Sequence, residues 1–256
     1  MTDPVWSWCL LLGSAFVAGA VNSIAGGGTL LTFPSLLTVV SPVLANATST
    51  LALLPGSIAA GWGYRREVSR SLRPLVRLWP SSLAGGVVGS LLLTRLPERI
   101  FAHLVPWLLV TASVLMLVQR PLTRWVGAHP HQQPKPATLA ALILFQFCVG
   151  VYGGYFGAGI GILMLSSLAF MGIAEIHEMN GVKSVLGSTI NGITAVVFLI
   201  AGVIVWKYAL PMAVAGMAGG YSGARIARRM KEGYVRALVV AIGLAVAAYS
   251  WWAQSR

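Results

Sequence analysis

The chain has 256 residues, of which 57% are hydrophobic and only 9% charged, and its formal net charge is +12. A soluble domain is usually about a quarter charged, so this chain cannot cover a water-facing surface and reads as an integral membrane protein. Its basic residues lie in short loops between apolar segments, which argues against a nucleic-acid partner and for anionic lipid headgroups.

The apolar segments run 5–24, 29–41, 43–63, 75–94, 100–118, 137–156, 160–173, 181–205, 208–224 and 234–253. The opening Met-Thr-Asp-Pro has no basic stretch, so the first run reads as a retained membrane segment rather than a cleaved signal. A full crossing needs about 20 helical residues. Segments two and seven are shorter, and each follows a glycine cluster: Gly26-Gly27-Gly28 and Gly157-Ala158-Gly159-Ile160-Gly161. They are predicted to be half-helices, or short tilted helices after an unwound stretch. The stretch 119–136, rich in proline and polar residues, reads as a central cytoplasmic loop joining 1–118 to 137–256. Pro34, Pro55, Pro80, Pro106 and Pro211 are expected to kink or break their helices. Cys9 and Cys148, with no CxxC spacing, are expected to be inert core thiols.

The two halves repeat each other. Ala-Gly-Gly-Val-Val-Gly at 84–89 returns as Ala-Gly-Gly-Tyr-Ser-Gly at 218–223, and at the same offset Asn46 matches Asn180, Thr50 matches Ser184, Arg95 matches Arg229 and Glu98 matches Glu232. The loops invert their charge. Loop 64–74 is arginine-rich, but its counterpart at Trp206-Lys207-Tyr208 is nearly uncharged; the light loop at Arg95 matches the basic 225–233. An odd number of crossings per repeat produces such a swap. The expected fold is therefore all-α, with about ten transmembrane or half-membrane helices in two inverted five-segment repeats. Both termini then lie outside and the basic loops in the cytoplasm.

The glycine clusters are the first candidate site. Broken backbone at membrane depth is tolerated where it is buried in protein or lines a cavity. Free amides and the positive end of the following helix favour an anion there. Asn22, Gly26, Gly27, Gly28 and Thr29 form the first cluster, and Gly157, Gly159 and Gly161 the second. Close helix packing would also demand glycine. Neither cluster is a nucleotide loop: the first has no Lys before Thr29, and the second fails GxGxxG.

Polar patches open segments three and eight: Asn46, Thr48 and Ser49, then Asn180, Lys183 and Ser184, followed by Ser188, Thr189 and Asn191. Such groups inside a membrane are costly unless they face a partner or a wet cavity. Lys183 offers positive charge to an anion, or snorkels to the interface; Asn46 and Asn180 bind substrate or cap helices. Gly85-xxx-Gly89, Gly216-xxx-Gly220 and Gly219-xxx-Gly223 read as helix packing. No acid lies mid-segment, which argues against a cation substrate. Glu175-Ile176-His177-Glu178 reads as a solvated loop end rather than a metal site, and His129 and His131 as exposed. No nucleophile–base set suggests an enzyme, and no cofactor or metal is expected.

Ala-Gly-Ala-Val-Asn-Ser-Ile-Ala-Gly-Gly-Gly-Thr-Leu-Leu-Thr-Phe-Pro-Ser-Leu-Leu (18–37) and Ala-Asn-Ala-Thr-Ser-Thr (45–50), echoed at 150–168 and 180–192, resemble the TauE/SafE family of sulfite exporters and related permeases. The second half lacks the Gly-Gly-Gly run and the match to Pro34. The resemblance implies a bacterial inner-membrane permease for a small anion such as sulfite, thiosulfate, a sulfonate or an organic acid. Proton coupling is compatible with the family, though no residue here demands it. The expected function is thus a secondary transporter working by alternating access, with the lipid bilayer and a second copy of the chain as further partners. A non-transporting scaffold or chaperone of a membrane enzyme complex is the alternative.

Overall fold

A computed structural model describes residues 4–24, 27–127, 135–173, 175–226 and 232–254. They form helices α1 (Val5–Ile24), α2 (Thr29–Leu37), α3 (Pro42–Gly63), α4 (Arg65–Arg70), α5 (Leu72–Arg95), α6 (Glu98–Gly127), α7 (Pro136–Tyr155), α8 (Ile160–Phe170), α9 (Ile176–Ile200), α10 (Trp206–Ile226) and α11 (Glu232–Gln254). No strand occurs among the described residues. That is what a lipid solvent requires, because a helix satisfies its own backbone groups. Among the described residues, α1, α3, α5, α6, α7 and α9 contain spans long and apolar enough to cross a bilayer. The protein is an all-α, multi-pass membrane protein.

At 1.5 Å per residue, α2 and α8 reach only about 14 and 17 Å, roughly half a hydrocarbon core of about 30 Å. Both start at glycine breaks, as the sequence implies.

The most extensive helix pairs join the two halves of the chain. Helix α1 packs on α10 and α7 on α5; α3 lies against α9 and α10, α5 against α9, and α6 against α11. Exchanging each helix for its counterpart, α1 for α7, α3 for α9, α5 for α10 and α6 for α11, returns this same set of pairs.

Glycine makes the two closest pairs. A Cβ on Gly89 would collide with the Val151 carbonyl, one on Gly154 with the Gly86 carbonyl, and one on Gly85 with the Phe147 carbonyl. Across α1 and α10, a Cβ on Gly19 would strike Gly216, and one on Gly219 would strike Phe16. Backbone rests on backbone, as small-residue spacing anticipates.

Cross-chain contacts identify the ends of the bundle. At one end the Trp8 and Tyr208 rings lie 5.4 Å apart. There the Val43 N–H donates to Glu98 Oε1 at 3.3 Å, the Val205 N–H to Thr48 Oγ1 at 3.1 Å, and Gln254 Nε2 to the Ala102 carbonyl at 2.6 Å. At the other end α4 covers the start of α9: Arg70 pairs with Glu175 at 3.8 Å, and the Ser71 hydroxyl donates to Glu178 Oε2 at 2.6 Å.

Several expectations are corrected. Loop 64–74 contains helix α4, short because only Val68 is buried. Residues 119–127 continue α6 rather than belonging to a loop, because hydropathy marks where lipid contact stops and not where backbone bonding stops. Segment 181–205 begins earlier and ends at Ile200. There Gly202, at φ +68°, turns the chain so that the Val203 N–H reaches the Phe198 carbonyl at 3.2 Å. Helices run through Pro34, Pro55, Pro80, Pro106 and Pro211 without breaking. Cys9 and Cys148 are exposed on the outer faces of α1 and α7, not in the core, since an apolar helix in lipid has no need to hide its thiols. Glu175 stays exposed, as expected, and pairs at the surface with Arg70, whereas Glu178 is half-buried and accepts from Ser71, just after α4. His129 and His131 lie outside the described residues.

Candidate functional site

Both helix breaks lie against the same stretch of α6. Gly27, at φ +90°, faces Met116, whose Sδ would be 2.7 Å from an added Cβ. Gly159, at φ +79°, is the N-cap of α8 and faces Leu115 and Ala112. A positive φ costs an L side chain roughly 1–2 kcal/mol, so glycine is what lets the chain turn at both places. Phe33, Phe101 and Phe156 interlock beside them, with the Phe33 and Phe156 rings edge to face at 5.2 Å.

The first break is tied down by its own half. Asn22, on the last turn of α1, accepts the Gly28 N–H at Oδ1 (2.8 Å). Gly28 is buried, and an added Cβ would meet the Ala18 carbonyl at 2.8 Å. Thr29, half-buried, starts α2. One turn later Thr32 and Ser49, both fully buried, share a hydrogen bond at 2.6 Å. Gly26 lies outside the described residues.

The second break is tied down differently. The Tyr152 hydroxyl donates to the Ala158 carbonyl at 2.8 Å. Asn46, from the other half, donates Nδ2 to the Tyr155 carbonyl at 3.1 Å, while its Oδ1 is buried without a protein partner. Thr48 holds the Val205 N–H just before α10. Gly157, at φ +83°, has the Asn191 Oδ1 4.0 Å from where its Cβ would be. Gly161 supports the Lys183 stem, 3.2 Å from an added Cβ to Lys183 Cδ. Lys183 Nζ donates to Asn180 Oδ1 at 2.8 Å, and the Ser184 hydroxyl donates to the Asn180 carbonyl at 2.8 Å.

The residues chosen from sequence thus fall into three groups. Asn22, Gly27, Gly28, Thr29 and Ser49 gather at the first break. Gly157 with Asn191 beside it, Gly159, and Gly161 with Lys183 and its partner Asn180 mark the second, and Asn46 reaches across to it, whereas Ser184 bonds within α9 and Thr48 holds the chain before α10. Ser188 lies apart, lining an outward cleft between α3 and α9.

Sequence reasoning passed over Thr32, Met116 and Gln146. Gln146 is fully buried, donates to Ser82 Oγ at 2.9 Å and accepts from Ser167 at 3.3 Å. Looking only for carboxylates at segment centres missed it; looking for any amide there would have found it. Among the described residues no three His, Cys, Asp or Glu side chains gather as a metal site would.

Comparison with known proteins decides the family. Residues 11–250 match the model of the sulfite exporter TauE/SafE family. The chain belongs to this family. A probable membrane transporter protein, ORF9, of Sinorhizobium is 31% identical over 240 residues, covering 93% of this chain and 89% of that relative. One from Haemophilus influenzae is 28% identical over 235 residues, covering 90% and 89%. YfcA of Escherichia coli K12, also a probable membrane transporter, is 27% identical over 246 residues, covering 93% and 89%. This TauE/SafE protein thus stands among named transporters, not among enzymes.

Proposed function

We propose that this chain is a secondary transporter for a small anion, a sulfur oxyanion or sulfonate such as sulfite, with its site at the α7–α8 break. The observation that carries this reading is the placement of Lys183. Its stem lies on Gly161, in the first turn of α8, and its ammonium group is held by Asn180. An ammonium beside a helix N-terminus adds two positive contributions at one place, which suits an anion and repels a cation. Asn191, further along α9, has its Oδ1 4.0 Å from where a Gly157 Cβ would be and brings a hydrogen-bonding group to the same break.

The family description, sulfite exporter, supports the substrate class. The exchange of packing partners between halves supports an inverted five-plus-five arrangement. In that arrangement the two breaks meet α6 from opposite sides, and rocking of one half against the other exposes the site alternately. Arg65, Arg66, Arg70 and Arg73 gather around α4 and support a cytoplasmic location for that end, in a bacterial inner membrane.

Flux in proteoliposomes tests this. Sulfite, thiosulfate or taurine is expected to move down its gradient in vesicles containing the protein, and choline or lysine is not. Absence of flux for every sulfur anion, with the protein inserted and folded, overturns the reading.

A further inference from the structure

Two clefts on the flank of α3 share a wall. The first, about 430 Å³, lies between α3 and α9 and is lined by Gly61, Trp62, Arg65, Val185, Ser188 and Thr189. The second, about 620 Å³, runs between α3 and α10 and is lined by Leu51, Leu54, Pro55, Ile58, Trp62 and Leu210 among others. Ile58 and Trp62 line both, so the two adjoin on one flank of α3.

Their chemistry is graded. Arg65 is exposed, donates to the Trp62 carbonyl at 3.3 Å and lies 5.4 Å over the Trp62 ring, so its guanidinium is held at the mouth. Ser188 Oγ is buried and has no protein partner, although its residue lines the cleft. No acidic side chain is among the lining residues. The second cleft is lined by apolar side chains throughout. From Trp62 to Leu51 the α3 wall is about 17 Å long at 1.5 Å per residue, the depth of one leaflet of a hydrocarbon core about 30 Å thick.

We propose that these adjoining clefts bind a phospholipid with an acidic headgroup, its phosphate on Arg65 and an acyl chain along α3 and α10. A cation held at the mouth matches a phosphate, and the apolar trough matches a chain attached to it. A free anion has no use for that trough, and a zwitterionic lipid gains less from Arg65. The site is separate from the α7–α8 break and does not depend on what the protein transports.

The experiment is native mass spectrometry of the detergent-purified protein with dioleoyl phosphatidylglycerol, dioleoyl phosphatidylcholine or inorganic phosphate. Phosphatidylglycerol is expected to bind about fivefold more tightly than phosphatidylcholine, the effect of roughly one basic side chain near an acidic headgroup. Arg65→Gln is expected to bring the two lipids level, and Arg95→Gln, on an exposed position at the other end of α5, to change neither. Equal binding of the two lipids in the unaltered protein overturns the proposal, as does a preference that survives Arg65→Gln. Displacement of phosphatidylglycerol by inorganic phosphate overturns it too, marking a small-anion site instead.

Discussion

Ser49 and Lys183 occupy the same position in the two halves of the chain, 134 residues apart, yet their partners differ. Ser49 is sealed by a hydroxyl–hydroxyl bond to Thr32, whereas Lys183 brings a positive charge and binds the amide of Asn180. One break is closed by neutral groups and the other carries the cation. A site with a single charged pole needs this kind of asymmetry.

Replacing Lys183 by serine gives the second half the residue of the first. We expect Lys183→Ser to lower sulfite flux about tenfold or more, the loss of one hydrogen bond from a charged group. Lys183→Arg keeps the charge and is expected to retain part of the flux. Full-rate transport by Lys183→Ser in proteoliposomes would remove the residue from the mechanism.

The Thr32–Ser49 bond is buried on both sides. Thr32→Val leaves the Ser49 hydroxyl without a partner, and we expect a loss of about 1–3 kcal/mol. Thr32→Val combined with Ser49→Ala removes both groups and is expected to cost less than the sum of the single changes, because the two are coupled. Denaturation of the four proteins in one detergent measures the coupling; strict additivity would show that the bond contributes nothing.

Gly89 and Gly13 separate packing from propensity. Gly89→Ala drives a methyl group into the Val151 carbonyl, whereas a Cβ on Gly13 meets nothing within 4 Å. We expect Gly89→Ala to destabilise the protein by about 1–3 kcal/mol, the usual range for overpacking. Gly13→Ala is expected to be neutral or to stabilise it by up to about 1 kcal/mol. Equal melting temperatures for the two variants would contradict the close approach of α5 and α7.

Gly27 faces two obstacles to substitution, its φ of +90° and the Met116 sulfur. Gly27→Ala is expected to be destabilising. Adding Met116→Ala should recover the steric part but leave about 1–2 kcal/mol of backbone strain. Complete recovery in thermal unfolding would mean that the backbone relaxes out of the left-handed region.

Much of this architecture was legible because lipid imposes simple rules. Apolar length marked the helices from α1 to α11, with α4 the exception, and the glycine clusters marked where two of them begin. Helix α4 was hidden because six residues facing water on most sides carry no periodic apolar signal. The end of α9 was hidden because Ala201 to Val205 is as apolar as the helix before it, and only the conformation of Gly202 stops the ladder. At the candidate site, sequence picked out Lys183 and its partner Asn180, and Asn46, but not the partner of Asn46. Tyr155 offers Asn46 a backbone carbonyl, which every residue has and no pattern can flag.

The glycine contacts of Gly19 with Gly216, and of Gly89 and Gly154 with the backbones of α7 and α5, have a consequence for how such a chain is assembled. Each of the tightest helix pairs has one member before the central connection and one after it. Neither half holds its own best neighbours, so the cooperative folding unit is the whole polypeptide. Expressed as two separate pieces, each half is expected to be degraded alone and rescued when both are made together. A half-length ancestor would have reached this packing only as a pair of chains, and joining them end to end would have fixed their stoichiometry.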